Sequence, residues 1–250
     1  MNIVLFDGET YFSRGDARYQ HIKKILRKGK GDSFQAGVIN GSEGEASITS
    51  MDDQGLSFVF TPTRPMRPLH PLIAVIGFPR PIQLKRILRD LASLGVSAVW
   101  LTGTELGEKS YRESTLVDRG AAREGLLEGC MQAGGTAVPE LRLFDSLEQT
   151  LAAADALDAE NGTRSFRVSL DVQDALCPLS RAPFGEVSAG RPALLFIGSE
   201  RGWSAGERAL LRAAGCTVCS LGSRILRTET AATAAVAITL SAIGCMEGDK

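Results

Sequence analysis

The chain has 250 residues and a mass of 26.6 kDa, room for one large domain or two small ones. Hydrophobic residues make up 44% and charged residues 23%, a globular composition that excludes a disordered or fibrous chain. The 28 Lys and Arg against 29 Asp and Glu leave a net charge of −1, which as a sum disfavours a nucleic-acid binder.

The chain reaches Asp7 after a short apolar run with no basic leader, so no secretory signal is expected. Over residues 1–67, short alternating pieces (NIVLF, DSFQAGVI, EASITSM, LSFVF) separated by Gly and polar turns predict a small β-barrel. One helix interrupts them. Asp16 caps it, and Ile22, Ile25 and Leu26 form a stripe expected to face inward. Residues 14–30 carry seven Lys and Arg against Asp16 alone, whereas residues 71–250 carry 19 basic and 21 acidic side chains. The near-zero total is thus an average over one basic element and a slightly acidic remainder. Residues 61–71 hold four prolines in eleven positions, which predicts a linker without regular structure.

Beyond the linker the rhythm changes to strands alternating with helices. Strands are expected at 71–78, 97–101, 138–144, 164–171, 192–199 and 216–222, and helices at 82–94, 116–132 and 147–157. Ser204 and Glu207 form a capping box for a further helix ending near Gly215. The pattern implies a mostly parallel sheet covered on both faces, with ligands at the carboxyl ends of its strands. Residues 230–246, uncharged and rich in Ala and Thr, are too weakly apolar for a membrane span and read as a buried helix.

The five cysteines (130, 177, 216, 219, 245) are irregularly spaced and fit a reducing compartment, so a soluble cytoplasmic protein is expected. With two histidines, His21 and His70, and Cys216 and Cys219 pointing to opposite faces of a strand, no metal site is predicted. No dinucleotide-binding G-x-G-x-x-G opens the α/β part and no P-loop occurs anywhere. Two late loops remain, IGSERGWSAGE (197–207) and SLGSRILRTETA (220–231). Gly198 and Gly202 permit close approach of backbone to a ligand, and the second loop crowds Arg224, Arg227 and Glu229 before a helix. A solvated surface loop has the same composition.

Together these loops resemble the C-terminal signature of the 16S ribosomal RNA uridine-N3 methyltransferases, the RsmE-like branch of the SPOUT methyltransferases. The second loop matches at Leu221, Gly222, Arg224, Ile225, Leu226, Arg227, Glu229, Thr230 and Ala231. HIKKILRKGKGD (21–32), LGV (94–96) and VPE (138–140) extend the likeness over nearly the whole chain. The resemblance implies a PUA-like RNA-binding barrel over 1–67 and a SPOUT α/β domain over 68–250 with a trefoil knot. It also implies S-adenosylmethionine bound by loops 170–171, 197–202 and 221–227, and a homodimer acting on ribosomal RNA or the small ribosomal subunit. Leu170, Ile197, Gly198, Glu200, Gly202, Leu221, Gly222, Ile225, Leu226 and Arg227 are the cofactor-binding residues so implied. Arg227 is the candidate to stabilise charge on the uracil carbonyl oxygens. Glu229 either orients it, assists proton removal, or is simply a carboxylate favoured at a helix start. Arg14, Arg18, His21, Lys23, Lys24, Arg27, Lys28, Arg201 and Arg224 are the expected RNA contacts.

Three departures from the family pattern surround this site. Ser199-Glu200-Arg201-Gly202 stands for Pro-Glu-Gly-Gly, Met131 and Gly135 replace a Glu and an Arg, and Ser93 replaces a Glu. They keep open the alternative of a catalytically impaired RNA-binding paralogue with the same knotted dimer.

Overall fold

A computed structural model describes residues 2–112 and 120–247, which divide into two compact units. One comprises Met1–Pro68 with Leu127–Val138, the other Leu69–Leu126 with Pro139–Lys250.

The first unit is built on β1 (Val4–Phe6), β2 (Tyr11–Ser13), α1 (Ala17–Lys24), β3 (Ser33–Val38), β4 (Glu43–Met51) and β5 (Gly55–Arg64). Its strands form one sheet in the order β1-β3-β4-β5-β2, antiparallel except for the β1–β3 pair. Alternation drives one face inward. Phe58 sits at the centre, 5.3 Å from Phe6, 4.9 Å from Phe12 and 5.8 Å from Phe34 between ring centres. Tyr19 and Ile22 of α1 complete this core.

Two expectations fail in this unit. Residues 61–71 are not a linker throughout: β5 runs to Arg64 and the next strand begins at His70. Proline is tolerated because β2 pairs only with Gly55, Leu56 and Ser57, leaving β5 an edge strand by the time it reaches Pro62, opposite Gly44. Ile25 does not face inward. The helix ends at Lys24, Ile25 is its C-cap, and that side chain is 68% exposed.

The second unit contains β6 (His70–Gly77), α2 (Pro81–Ser93), β7 (Val96–Thr102) and the single turn α3 (Lys109–Arg112). Then come α4 (Ala121–Ala133), whose residues from Leu127 belong to the first unit, β8 (Glu140–Phe144) and α5 (Leu147–Asn161). The chain continues through β9 (Phe166–Leu170), β10 (Cys177–Pro178), a 3-10 turn (Leu179–Arg181), β11 (Ala193–Ile197), α6 (Ala205–Ala213), β12 (Thr217–Ser220) and α7 (Thr228–Ala242). The expected helix over 116–132 is α4 in part; positions 116–119 lie outside the described residues.

All seven strands are parallel, in the order β10-β12-β9-β11-β6-β7-β8. Central β6 reads LIAVIG because both its faces are covered. Ile73 and Val75 join Trp100, Leu151, Phe196, Trp203 and Leu211 in one core layer. On the sheet's other face α2 and α7 pack together, α2 against β7 and α7 against β6 and β11, burying Leu84, Leu88, Leu91, Ala232, Ala235 and Val236. The Ala-rich tail is therefore a buried helix, and no helix among the described residues is long and apolar enough to cross a membrane.

Candidate active site

Three strands of the second unit end side by side, and the loops that follow them converge. Residues after β9, β11 and β12 line one cleft of about 660 Å³ together with the first turns of α2 and α7. Parallel strands put all their carboxyl ends on one edge, so the site lies where the topology predicts.

Each loop is fixed from beneath. Buried Trp203 donates its indole N–H to the Leu170 carbonyl at 3.2 Å, tying the β11 loop to the end of β9. Asp171 accepts from Arg208 Nε of α6 at 2.6 Å. Ser204 and Glu207 form the reciprocal capping box that starts α6, and Glu207 also accepts the Glu105 amide at 2.9 Å. The β11 loop turns tightly, with the Gly202 amide donating to the Ser199 carbonyl at 2.8 Å. Gly202 adopts φ +72°, which favours glycine, and a Cβ on Gly198 would stand a tight 3.0 Å from the Gly202 backbone. Gly222, at φ +99°, opens the β12 loop.

All ten expected cofactor residues, together with Glu229, Arg201 and Arg224, line this cleft. Leu170, Ile197 and Leu221 give it apolar surface. Ile225 and Leu226 do so only from its rim, being 90% and 36% exposed, so the apolar lining is open on one side. Arg227 is the N-cap of α7 and Glu229 lies in its first turn. Among the described residues neither Arg224 nor Arg227 has an ion-pair partner, which leaves their donors for a ligand. Arg201 is turned outward, its guanidinium 2.9 Å from Glu108 and 68% exposed.

Sequence reasoning missed the contribution of α2. Arg80 pairs with Glu200 at 3.0 Å, and the Tyr111 hydroxyl followed by Glu200 raises its pKa. Gln83, one turn on, also lines the cleft. The only hint was Arg80-Pro81 directly after a buried strand, and nothing local says that this loop meets loops more than a hundred residues away.

The expected RNA contacts of the first unit divide. Arg14, Lys24 and Arg27 are exposed without ion-pair partners among the described residues, and Lys28 is half-buried. Arg18 is neutralised by Asp16, through Nη2 at 2.6 Å, and by Glu9, and its guanidinium stacks 4.0 Å from the Phe12 ring centre. His21 is half-buried, and burial lowers its pKa, so it does not serve as a cation at neutral pH. Lys23 is engaged by the Tyr19 hydroxyl at 2.9 Å and by Asp53 at 3.4 Å. The basic run is real, but its charge is offset by Asp16 within it and by Glu9 and Asp53 outside it in sequence.

Comparison with known proteins assigns the fold to a family. A model of an RNA methyltransferase domain matches residues 65–240, and one of an RNA methyltransferase PUA domain matches residues 15–61. Ribosomal RNA small subunit methyltransferase E of Treponema pallidum is 41% identical over 96% of this chain and 91% of its own. The chain belongs to the ribosomal RNA small subunit methyltransferase E family. A second member, from Borreliella burgdorferi, is 28% identical over 96% of this chain and 98% of its own. A crystal structure of the Neisseria gonorrhoeae member, bound to S-adenosyl methionine, matches with a TM-score of 0.77 at 19% identity, covering 96% and 97% of the two chains. The PUA-type sheet and the SPOUT-type parallel sheet expected of this methyltransferase family are thus both present.

Proposed function

We propose that this family member uses S-adenosylmethionine to methylate N3 of a uridine in small-subunit ribosomal RNA, as a cytoplasmic homodimer. The observation that carries the reading is the convergence of the β9, β11 and β12 loops on a cleft whose rim holds Arg227 and Glu229 at the start of α7. The names of the Treponema and Neisseria relatives support the substrate and cofactor.

The residues present fit that cofactor. The bare backbone at Gly198, Gly202 and Gly222 allows close approach, and Leu170, Ile197 and Leu221 offer an apolar wall for an adenine. When bound, the cofactor supplies an electrophilic methyl group on sulfur. The chain supplies orientation and charge stabilisation. As the imide proton leaves uracil N3, negative charge spreads to the flanking carbonyl oxygens, and the Arg227 guanidinium stabilises it with fixed donors. Glu229, in the same turn, orients Arg227 or takes up the proton.

Dimerisation is supported by exposed apolar side chains lining the cleft, Val172 at 72% and Ile225 at 90%, and by Leu176 at 78% in the connection between β9 and β10. The trefoil knot belongs to the same reading. It is supported by the pairing of β9 with both β11 and β12, and by the packing of α7 against α2 and the 3-10 turn after β10.

Calorimetry with S-adenosylmethionine and nucleoside mass spectrometry of small subunits treated with the protein test the reading. We expect cofactor binding and N3-methyluridine. Arg227→Ala should keep the fold and lose about 10²- to 10³-fold in transfer, the usual cost of one oxyanion donor. Unchanged turnover removes Arg227 from catalysis, and absence of cofactor binding by the wild type refutes the enzyme reading.

A further inference from the structure

We propose that Cys177 and Cys219 are an oxidisable thiol pair, closed to a disulfide by a hydroperoxide, and that closure weakens binding in the cleft. The covalent step stands on the thiols alone. Its effect on binding rests on the reading of the cleft as the cofactor site.

The two sulfurs lie 3.6 Å apart although the residues are 42 positions apart in sequence. Cys177 and Cys219 are register partners on the neighbouring parallel strands β10 and β12. Such strands run about 4.8 Å apart, inside the Cα separation of about 4.4–6.8 Å that a disulfide spans. Bringing the sulfurs to a bond length of about 2.05 Å takes side-chain rotation and a small strand movement. β10 can supply that movement, because it has two residues, forms an edge of the sheet and pairs with β12 alone. β12 is held on both sides, with Thr217, Val218 and Cys219 registered against β9.

Exposure divides the roles. Cys177 is part-exposed and Cys219 is fully buried, so a peroxide meets Cys177 first. The Cys177 sulfur attacks one peroxide oxygen, forming an S–O bond as the O–O bond breaks. The other oxygen leaves with the thiol proton as water, and Cys177 becomes a sulfenic acid. The Cys219 sulfur then attacks the Cys177 sulfur. The S–S bond forms, the S–O bond breaks, and the departing hydroxide takes the Cys219 proton to give a second water. The two thiols have lost two electrons and two protons, and the peroxide has become two waters. Burial, joined by the neighbouring Cys177 thiol, pushes Cys219 up to about 12, so alone it is unreactive. Contact with Cys177 gives it the effective concentration that the second step needs. A dithiol reductant reopens the bond by exchange.

The bond would form between two walls of the cleft. Asp171, Val172 and Gln173 line the cleft, and their segment runs directly into Cys177. The lining residues Leu221 and Gly222 follow just beyond Cys219. The Cys219 carbonyl accepts the Asp171 amide at 3.0 Å, and the Val218 carbonyl accepts the Leu176 amide at 2.9 Å. Drawing β10 onto β12 therefore displaces the 171–176 wall from its place in the reduced cleft. A largely pre-formed site binds less tightly when one wall moves.

The test treats the full chain with hydrogen peroxide, alkylates the remaining thiols and maps peptides without reductant. A peptide pair bridging Cys177 and Cys219 should appear, short of two hydrogens, and should vanish on treatment with dithiothreitol. It should persist in Cys245→Ser, which removes the other part-exposed thiol, and be absent from Cys177→Ser. Calorimetry should show the dissociation constant for S-adenosylmethionine rising about fivefold on oxidation and returning on reduction, with peroxide leaving Cys177→Ser unaffected. Oxidation of Cys177 to a sulfinic acid, or its pairing with a second chain, in place of the bridge would overturn the proposal. A bridge with unchanged cofactor affinity would overturn the coupling to the cleft. A reduced wild type that binds no cofactor would instead refute the methyltransferase reading, while the peptide map still decides the bridge.

Discussion

Arg201, an expected RNA contact, shows how the neighbours of a single side chain bear on its role. It puts a bulky cation in a turn where the family keeps glycine. The structure turns it to Glu108, with the two side chains 68% and 49% exposed. An exposed pair of this kind contributes about 0–1 kcal/mol, little enough for a phosphate to take the carboxylate's place. The cysteines show the converse. Their spacing puts Cys216 and Cys219 on opposite faces of a strand, away from each other. In the structure Cys216 packs in the core with Trp203 and Leu211, while Cys219 meets Cys177 of the neighbouring strand at 3.6 Å. Burial pushes Cys130 up to about 11, and Cys216 and Cys219 up to about 12. The thiolate is the reactive form, so these three are almost wholly protonated at pH 7.5. A thiol reagent should therefore label part-exposed Cys177 and Cys245 first and reach the other three only on unfolding. Mass spectrometry of the labelled native protein checks this, and early modification of Cys216 would contradict its burial.

At the level of elements, what was legible depended on whether the cause was local. The strands of the parallel sheet are runs of buried Val, Ile and Leu, and α6 starts on a capping box; both follow from a few adjacent residues. The three-residue β2 and two-residue β10 carry no periodicity to read, and β5 continues through Pro62 only because its partner strand stops short. The start of α1 is the clearest local case. Asp16 accepts the Arg18 amide at 2.8 Å and caps the helix, and it also binds the Arg18 guanidinium, which donates to the Leu5 carbonyl of β1 at 3.1 Å. Asp16→Ala should destabilise the protein by about 1–2 kcal/mol, the upper part of the range for a lost cap. The hydrogen bonds from Arg18 hold the Asp16 carboxyl below its ordinary pKa. Its contribution is therefore fully present above the ordinary carboxylate range and is lost as pH falls through the lowered folded value. Urea unfolding at pH 7 and at pH 3 should show the difference between wild type and variant shrinking in acid, and a constant difference would mean that the carboxylate is immaterial.

For the whole molecule, the net charge of −1 is a poor guide because the cations are segregated in sequence and then selectively neutralised in space. Seven Lys and Arg in residues 14–30 promise a phosphate-binding surface of that many contacts. The fold withdraws Arg18 into an ion-pair cluster and engages Lys23; Asp16 is a local partner, but Glu9 and Asp53 lie outside the run and complete the pairings only in the fold. Arg14, Lys24 and Arg27 remain exposed without ion-pair partners among the described residues, as does Lys30 at the end of the run, and the first three are the expected contacts that should matter. Each phosphate neutralised contributes about 0.7 to 0.9 to the slope of log K against log salt. Changing Arg14, Lys24 and Arg27 together to Gln should thus flatten the salt dependence of ribosomal RNA binding by about 2 to 3, roughly three phosphates' worth. Arg18→Gln should leave that slope nearly unchanged and lower stability instead, because its charge is already spent on Asp16 and Glu9. Titrations at several salt concentrations separate the two cases. An unchanged slope in the triple variant would move the RNA-docking surface away from α1, and a large change with Arg18→Gln would mean that its ion pairs open when RNA binds.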